Sequence, residues 1–276
     1  MDPLSPFRPT FGNPPVVEVA LSVQFAELPL EVEHFGFWYR DRIDQFPERS
    51  REPRRQRIVE RFPAHPIRAT DTITVTAFPV ERMAFRTSDG SEVVQFQPDR
   101  FSFHWVRRDG AAYPRFEWIL ENFEQHWSEF ITFSDEEFGE RPSADLVEVV
   151  YVNRIKTPVG RDPAAYFAEV MRDCDRTGGT GELGPADALL FERIFSYAAH
   201  GTRLYASGRC ISGADNSLFS LTARARIDTG GSPGAAKAAV ASKLTGCRHL
   251  INRGFVDLTS KEVRKTVWGQ KGETDD

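Results

Sequence analysis

The sequence predicts a folded α+β protein in which antiparallel strands and helices recur in two similar runs. Its 276 residues are 40% hydrophobic and 27% charged, a composition typical of a folded chain of one or two domains. Two β-branched segments, 16–25 and 146–155, share the triplet Val-Glu-Val and begin 130 residues apart. The recurrence predicts that the second half of the chain is a copy of the first.

The first copy, residues 1–143, begins with the strand 16–25 after a proline-rich lead. Apolar residues then recur at steps of three and four from Phe35 to Phe46, which predicts a helix that ends at Pro47. A long amphipathic helix, whose apolar stripe runs over 116–131, closes the copy. Between the two helices, β-branched and aromatic runs predict strands over 73–78, 82–87, 93–96 and 100–106.

The second copy, residues 144–276, repeats this order. Asp162 and Pro163 predict the N-cap and first turn of a helix after the strand 146–155. The closing helix has its apolar stripe over 236–251, and Thr259 and Glu262 stand at capping-box spacing at the start of a further short helix. The strands predicted between these helices span 189–197, 203–211 and 218–227.

Each copy therefore has the order β-α-β-β-β(β)-α. This order is compatible with curved antiparallel sheets packed on helices, as in the TATA-binding-protein-like and helix-grip architectures. We expect the two copies to pack as one pseudo-symmetric unit. Proteins of unrelated function can share one architecture, so the function has to be inferred from particular residues.

Composition excludes several classes of protein. No window approaches the roughly 18 consecutive apolar residues of a membrane span, and the first residues lack the pattern of a signal peptide. We therefore expect a cytoplasmic protein that makes no membrane contact. Cys174, Cys210 and Cys247 are too few and too far apart for a disulfide framework or a structural zinc site, so we expect them to be reduced and mostly buried.

The net charge of −5 is unevenly distributed along the chain. The first copy has a charge of −7 and the second +2, and residues 49–68 form an arginine-rich run with seven arginines. We expect this run and the acidic residues over 117–140 to face each other, within the domain or between subunits, since oppositely charged solvated faces are common. The alternative is a phosphate-binding strip for nucleic acid on Arg51, Arg54, Arg55 and Arg57.

Sequence signals for catalysis are weak. A literal GxGxxG at 179–184 follows a predicted helix and precedes a strand, which is the wrong context for a phosphate loop. The histidines form no HxH or HExxH pair, and there is no GxSxG or Walker motif, so we expect no cofactor and no metal. An enzyme would need a pocket between the copies that places His200 or His249 beside an acid or Cys210.

Two polar or aromatic clusters have competing interpretations. Phe101, Phe103 and Trp105 share one face of a strand, which favours a core row over a platform for stacking bases. His249 lies between Arg248 and Arg253 on the closing helix and could line a groove, although a partly buried, hydrogen-bonded histidine is the commoner outcome.

Several motifs are similar to those of a sporadically distributed family of uncharacterised bacterial proteins of about this length. They are NPPVVEV at 13–19, Phe46-Pro47, His104-Trp105, YPRFE at 113–117, YVNRI at 151–155, and His249, Ile251, Phe255, Thr259 and Trp268. The resemblance covers nearly the whole chain and departs at 49–68 and 178–184. The resemblance implies no established activity, but the patchy distribution of the family implies an accessory role in a bacterial defence or toxin–antitoxin system.

We therefore predict a non-catalytic binding or interaction module that recognises a protein partner or a second copy of itself. Nucleic-acid binding through 49–68 and an enzyme with a pocket between the copies are the alternatives. The candidate binding residues are Arg51, Arg54, Arg55, Arg57, Trp105, Tyr113, Arg115, Asn153, Arg154, His249 and Arg253.

Overall fold

A computed structural model describes residues 2–62, 82–108, 110–172, 188–211, 215–227 and 233–271, and over these ranges the strands and helices follow the predicted order with one added strand, 48–52. The first run contains β1 (Val16–Phe25), α1 (Val32–Arg40), β2 (Glu48–Glu52), β3 (Arg82–Arg86), β4 (Glu92–Gln97), β5 (Arg100–Val106) and α2 (Phe116–Phe138). The second contains β6 (Ala144–Lys156), α3 (Pro163–Val170), β7 (Ala188–Tyr197), β8 (Thr202–Ile211), β9 (Asn216–Arg226), α4 (Pro233–Leu258) and α5 (Lys261–Thr266). A short 3-10 turn, 198–200, joins β7 to β8.

These nine strands of the described ranges form one antiparallel sheet, in the order β2-β3-β4-β5-β1-β6-β9-β8-β7. The first strands of the two runs, β1 and β6, lie side by side at its middle, with Leu21 opposite Val149. Both runs thus contribute to one continuous sheet. The α+β class and the antiparallel sheet are confirmed.

The two long helices cover one face of this sheet. Phe101 and Phe103 of β5 are fully buried against α2, where the ring of Phe101 lies 5.2 Å from that of Phe130. On the other side, Leu221 of β9 and Leu244 of α4 belong to the same core. The aromatic row of β5 is therefore a core row, as predicted, because alternation in a strand sends every second side chain to the same face.

The opposite face is covered by an extended segment, residues 53–62, which we call the covering segment. The side-chain amide of Gln24 makes the two hydrogen bonds to Ile58 that the backbone of a neighbouring strand would otherwise make. Its Oε1 accepts from the Ile58 N–H at 2.7 Å and its Nε2 donates to the Ile58 carbonyl at 3.0 Å. Gln97 binds the backbone of Arg55 in the same way, at 3.0 and 2.8 Å. These amide pairs satisfy the backbone of a segment that has no strand beside it.

Buried charges lie beneath the covering segment. Glu60 is paired with Arg203 of β8, and Arg224 of β9 lies 3.5 Å from the same carboxylate. Arg224 also donates to Glu148 of β6 at 2.6 Å, and Arg100 of β5 lies 3.5 Å from Glu148. Since each buried charge has an opposite charge beside it, the desolvation penalty is partly offset.

Three local predictions need correction or addition. The first helix ends at Arg40 instead of reaching Pro47, and Arg42 turns back so that its guanidinium lies 4.5 Å from the ring centre of Trp38. The capping box at Thr259 is wrong, because its hydroxyl donates to the Phe255 carbonyl and Ser260 is the N-cap. The strand β2 inside the arginine-rich run was not predicted.

Other predictions fall on parts of the chain that the structure does not describe. They are the strand 73–78, the Gly-rich segment 179–184, Cys174, and the arginine-rich run beyond residue 62.

Candidate functional site

A cavity of about 560 Å³ opens at the junction of the two runs. It is bounded by the start of α2, by β6 and β9 on the helix-covered face of the sheet, and by α4. Residues 8–11 and 14–16 form a further wall. Its volume is typical of sites that hold small organic molecules.

Residues 8–15, which supply most of this wall and which we call the 8–15 segment, lie beside two other parts of the fold that hold them in place. The segment pairs with residues 268–271, where Gly12 N–H donates to the Gly269 carbonyl and Lys271 N–H donates to the Thr10 carbonyl, both at 3.0 Å. Just before it, the Phe7 carbonyl accepts from Asn252 Nδ2 of α4 at 3.0 Å. The cavity wall on this side is therefore held in place by hydrogen bonds.

Two tyrosine hydroxyls meet in the cavity lining. Tyr113 Oη and Tyr151 Oη are 3.0 Å apart, and the ring of Trp105 meets that of Tyr113 edge to face at 5.5 Å. Burial raises the pKa of Tyr113 well above its ordinary value and the pKa of Tyr151 to about 12. Both hydroxyls are therefore protonated at neutral pH, and each can donate one hydrogen bond.

Arg115 has an unusual backbone conformation. With φ 73° and ψ 157° it is the one described non-glycine residue at positive φ, in a region that is nearly restricted to glycine. It lies directly before the first residue of α2, and its side chain is exposed. Its guanidinium makes no hydrogen bond or ion pair with any part of the chain that the structure describes.

The charge of the lining is positive, although the whole chain is negative. Arg8, Arg115 and Arg248 line the cavity together with a single carboxylate, that of Glu117. Arg248 Nη1 lies 3.2 Å from Glu117 Oε1, and its guanidinium lies 5.1 Å from the ring centre of Phe116. Arg248 is thus held in place by an ion pair and a cation–π contact, whereas Arg115 projects without such support.

The structure brings three of the candidate residues to this cavity: Tyr113, Arg115 and Asn153. The amide of Asn153 donates to the Phe219 carbonyl at 3.1 Å, so the side chain is held against β9. Trp105 is buried behind Tyr113 and supports its ring. Arg154 is exposed on the other face of β6, because neighbouring residues of a strand point to opposite sides.

The two candidates on α4 bind the chain just before the 8–15 segment. His249 Nδ1 lies 3.3 Å from both the backbone nitrogen and the oxygen of Phe7, and Arg253 donates to the Ser5 hydroxyl at 2.8 Å. Burial lowers the pKa of His249; the Phe7 carbonyl opposes this, and Arg248, Arg8 and Arg253 lower the pKa further. His249 is the buried, hydrogen-bonded histidine that the sequence favoured.

The arginine-rich candidates lie away from the cavity. Arg54 and Arg55 belong to the covering segment, as does Arg57, and Arg51 lies in β2 at the edge of the sheet. Within the chain, Arg54 Nη1 is 3.0 Å from Glu27 and its Nη2 is 3.4 Å from Asp99.

Within the chain, the described part of the arginine-rich run does not face α2, so the intramolecular form of that prediction was wrong, and pairing between subunits stays a prediction. Arg57 is paired with Asp145 of β6 rather than with the acidic face of α2. That face instead meets other arginines: Glu129 lies 3.2 Å from Arg42, and Asp135 lies 2.5 Å from Arg141. The mismatch arises because the covering segment and α2 lie on opposite faces of the sheet.

Among the described residues, His200, His249 and Cys210, which the enzyme alternative would use, do not line the cavity. Cys210 is buried near one end of β8, whereas His200 precedes the other end and lies 3.6 Å from Asp2. His249 is engaged by Phe7. Over the described ranges, no group of three or more histidine, cysteine or acidic side chains could hold a metal ion. Among the same residues, no helix is long and apolar enough to cross a membrane.

Comparisons with protein-family models, with curated proteins and with solved structures give no match to this chain. The cavity has to be interpreted from its own chemistry. Sequence reasoning missed Arg8 and Phe11, because the proline-rich lead has no periodicity that marks a wall. Tyr151 lies in a motif that the sequence singled out, but its pairing with Tyr113 joins positions 38 residues apart and has no local signal.

Proposed function

We propose that the protein is a non-catalytic binding module and that the cavity between α2 and α4 is its binding site. One observation carries this proposal. Separate motif segments, at 13–19, 113–117 and 151–155 and on α4 at Ile251 and Phe255, contribute residues to the same cavity. Segments that are distant in sequence but meet around one opening are typical of a ligand site.

The chemistry of the lining supports binding rather than catalysis. Among the described residues, the cavity is lined by arginine, tyrosine, asparagine, threonine and apolar side chains and by one carboxylate, with no cysteine, histidine or serine. Its one carboxylate, that of Glu117, is engaged in an ion pair with Arg248. Fixed donors without a nucleophile and base are suited to holding a ligand.

A cavity-blocking variant tests this proposal. Thr10 is an exposed wall residue, so Thr10→Trp should obstruct the cavity without disturbing the core. Val159→Trp is the matched control, because Val159 is fully exposed in a turn that does not line the cavity. In a fragment screen by ligand-observed NMR, we expect hits for the parent protein and the control that Thr10→Trp loses. Hits that persist in a folded Thr10→Trp variant would place binding elsewhere.

We also propose that the chain is a tandem duplication, with copies at 1–143 and 144–276 and a TATA-binding-protein-like or helix-grip arrangement. In support, β1 and β6 pair at the middle of the sheet, and the last strand of each run, β5 or β9, lies beside the first. The cavity would then lie between the closing helices of the two copies. In an experimental structure, failure of the copies to superpose by a rotation near a half-turn would contradict this proposal.

The biological setting is a separate proposal. The resemblance to the bacterial family supports a cytoplasmic accessory role in defence or in a toxin–antitoxin system, with a protein partner. Pull-down of the tagged protein from its native host, at low and at moderate salt, tests this role. Recovery of no stoichiometric partner would contradict it and would leave the cavity proposal standing.

Nucleic-acid binding through the arginine-rich run is less well supported by the structure. Arg54 and Arg57 already face Glu27, Asp99 and Asp145, which reduces the positive potential of this surface.

A further inference from the structure

We propose that the cavity binds a small organic anion, in which a carboxylate or phosphate head group is joined to an apolar body. Arg115 and the paired hydroxyls of Tyr113 and Tyr151 would hold the head group, and the phenylalanine wall of the cavity would hold the body. This inference rests on the proposed function and specifies its ligand class.

Arg115 supplies the first argument. A guanidinium offers five N–H donors in a planar fork and no acceptor, a shape that matches the two oxygens of a carboxylate or phosphate. Arg115 projects from the cavity rim with no described partner, and the chain keeps it in a backbone conformation that favours glycine. Strained conformations of this kind persist where the surrounding structure enforces them, and they cluster at binding sites.

The tyrosine pair supplies the second argument. Two hydroxyls carry two protons, and the contact between Tyr113 and Tyr151 uses only one of them. The positive charge of Arg248 opposes the effect of burial on the pKa of Tyr151, so a cation already faces the pair. A second hydroxyl proton is thus left for an external acceptor. Because the arginines offer only donors as well, the complementary group is one rich in acceptor oxygens.

The start of α2 strengthens this preference. Tyr113, Arg115 and Glu117 line the cavity at the point where the chain enters α2, a helix of 23 residues. The first N–H groups of a helix carry a partial positive charge that favours anions. The N-cap, Arg115, has no side-chain capping bond that would satisfy those groups.

The remaining wall argues for an organic rather than an inorganic anion. Phe11 and Phe255 meet edge to face at 5.5 Å, and Ile251 and Leu221 continue the apolar surface. A bare phosphate would touch the polar groups and leave this surface in contact with water. The cavity of about 560 Å³ has room for an apolar body in addition to the head group.

Titration calorimetry with four probes tests the inference. Phenyl phosphate and benzoate carry both features, benzyl alcohol lacks the charge, and inorganic phosphate lacks the apolar body. We expect phenyl phosphate or benzoate to bind about tenfold or more tightly than either of the other two. Arg115→Ala should weaken that binding about tenfold, and Tyr113→Phe should weaken it by several fold. Arg154→Ala, which removes an exposed arginine outside the cavity, should leave binding unchanged.

Each of the other outcomes would contradict one stated part of the inference. If benzyl alcohol binds as tightly as benzoate, or if a folded Arg115→Ala variant binds the anions as the parent does, the anion inference is wrong while the proposed cavity function stands. If inorganic phosphate binds as tightly as phenyl phosphate, the inference that the ligand has an apolar body is wrong. An acetylated tripeptide ending in phenylalanine that binds about tenfold tighter than benzoate would assign a chain terminus instead of a small molecule. Failure of every probe, together with an empty fragment screen, overturns both proposals.

Discussion

Replacing Arg115 by glycine should make the protein more stable while it weakens anion binding. Arg115 has φ 73° and ψ 157°, a conformation that costs a residue with a Cβ atom about 1–3 kcal/mol. Glycine removes this cost but loses about 0.5–1 kcal/mol of extra backbone entropy on folding. The net expectation is that the free energy of unfolding rises by about 1 kcal/mol.

Arg115→Ala is the matched control for this prediction. Alanine removes the guanidinium as glycine does but keeps the Cβ atom, so the difference between the variants reports the backbone alone. Urea denaturation of both variants gives the two free energies, and an unchanged m-value would show that the unfolded state is comparable. If Arg115→Gly is no more stable than Arg115→Ala, the backbone at Arg115 is not strained and the argument from strain to function fails.

Three further predictions concern the stability of the fold. Because burial lowers the pKa of His249, the unfolded chain binds a proton that the folded protein does not, and the free energy of unfolding should fall as pH drops below about 6.5. His249→Asn should flatten that dependence in urea titrations over a pH series, and an unchanged slope would contradict it. Glu60→Ala should cost about 3–5 kcal/mol, since it leaves the buried Arg203 without its counter-charge, and Glu60→Gln, which also removes the charge, should lose most of the same stability; a loss below about 1 kcal/mol for both variants in urea denaturation would argue against the ion pair. Phe130→Ala should cost about 3–5 kcal/mol by the same measurement, because its fully buried ring contacts those of Phe96 and Phe101, and a loss below about 1 kcal/mol would mean that α2 is not packed as described.

The elements that could be predicted from the sequence are those with a strong local pattern. β5 was predicted over 100–106, because aromatic residues alternate along it, and the structure has the same bounds. The N-cap of α3 was also predicted: Asp162 accepts from the Ala165 N–H at 2.8 Å. Such signals depend on neighbours within a few residues.

The features that could not be predicted depend on distant pairings. The covering segment is held by Gln24 and Gln97, 34 and 42 residues away from the backbone groups that they bind. The candidate residues Tyr113, Arg115 and Asn153, which line the cavity, were named from motifs rather than from periodicity. The strain at Arg115 has no sequence signal, because an arginine after a proline is compatible with ordinary backbone angles.

The pairing of the 8–15 segment with residues 268–271 has a consequence for the order of folding. The cavity cannot acquire this wall until residues 268–271 have been synthesised, because Gly12, Asn13 and Lys271 all bond across that long interval. Contacts between such distant positions form late, since the loop that they close has a high entropy cost. In pulsed hydrogen exchange during refolding, the amides of Gly12, Asn13 and Lys271 should gain protection together, after those of the central sheet. Ligand binding would then report that synthesis has passed residue 271 and that the 8–15 segment has docked.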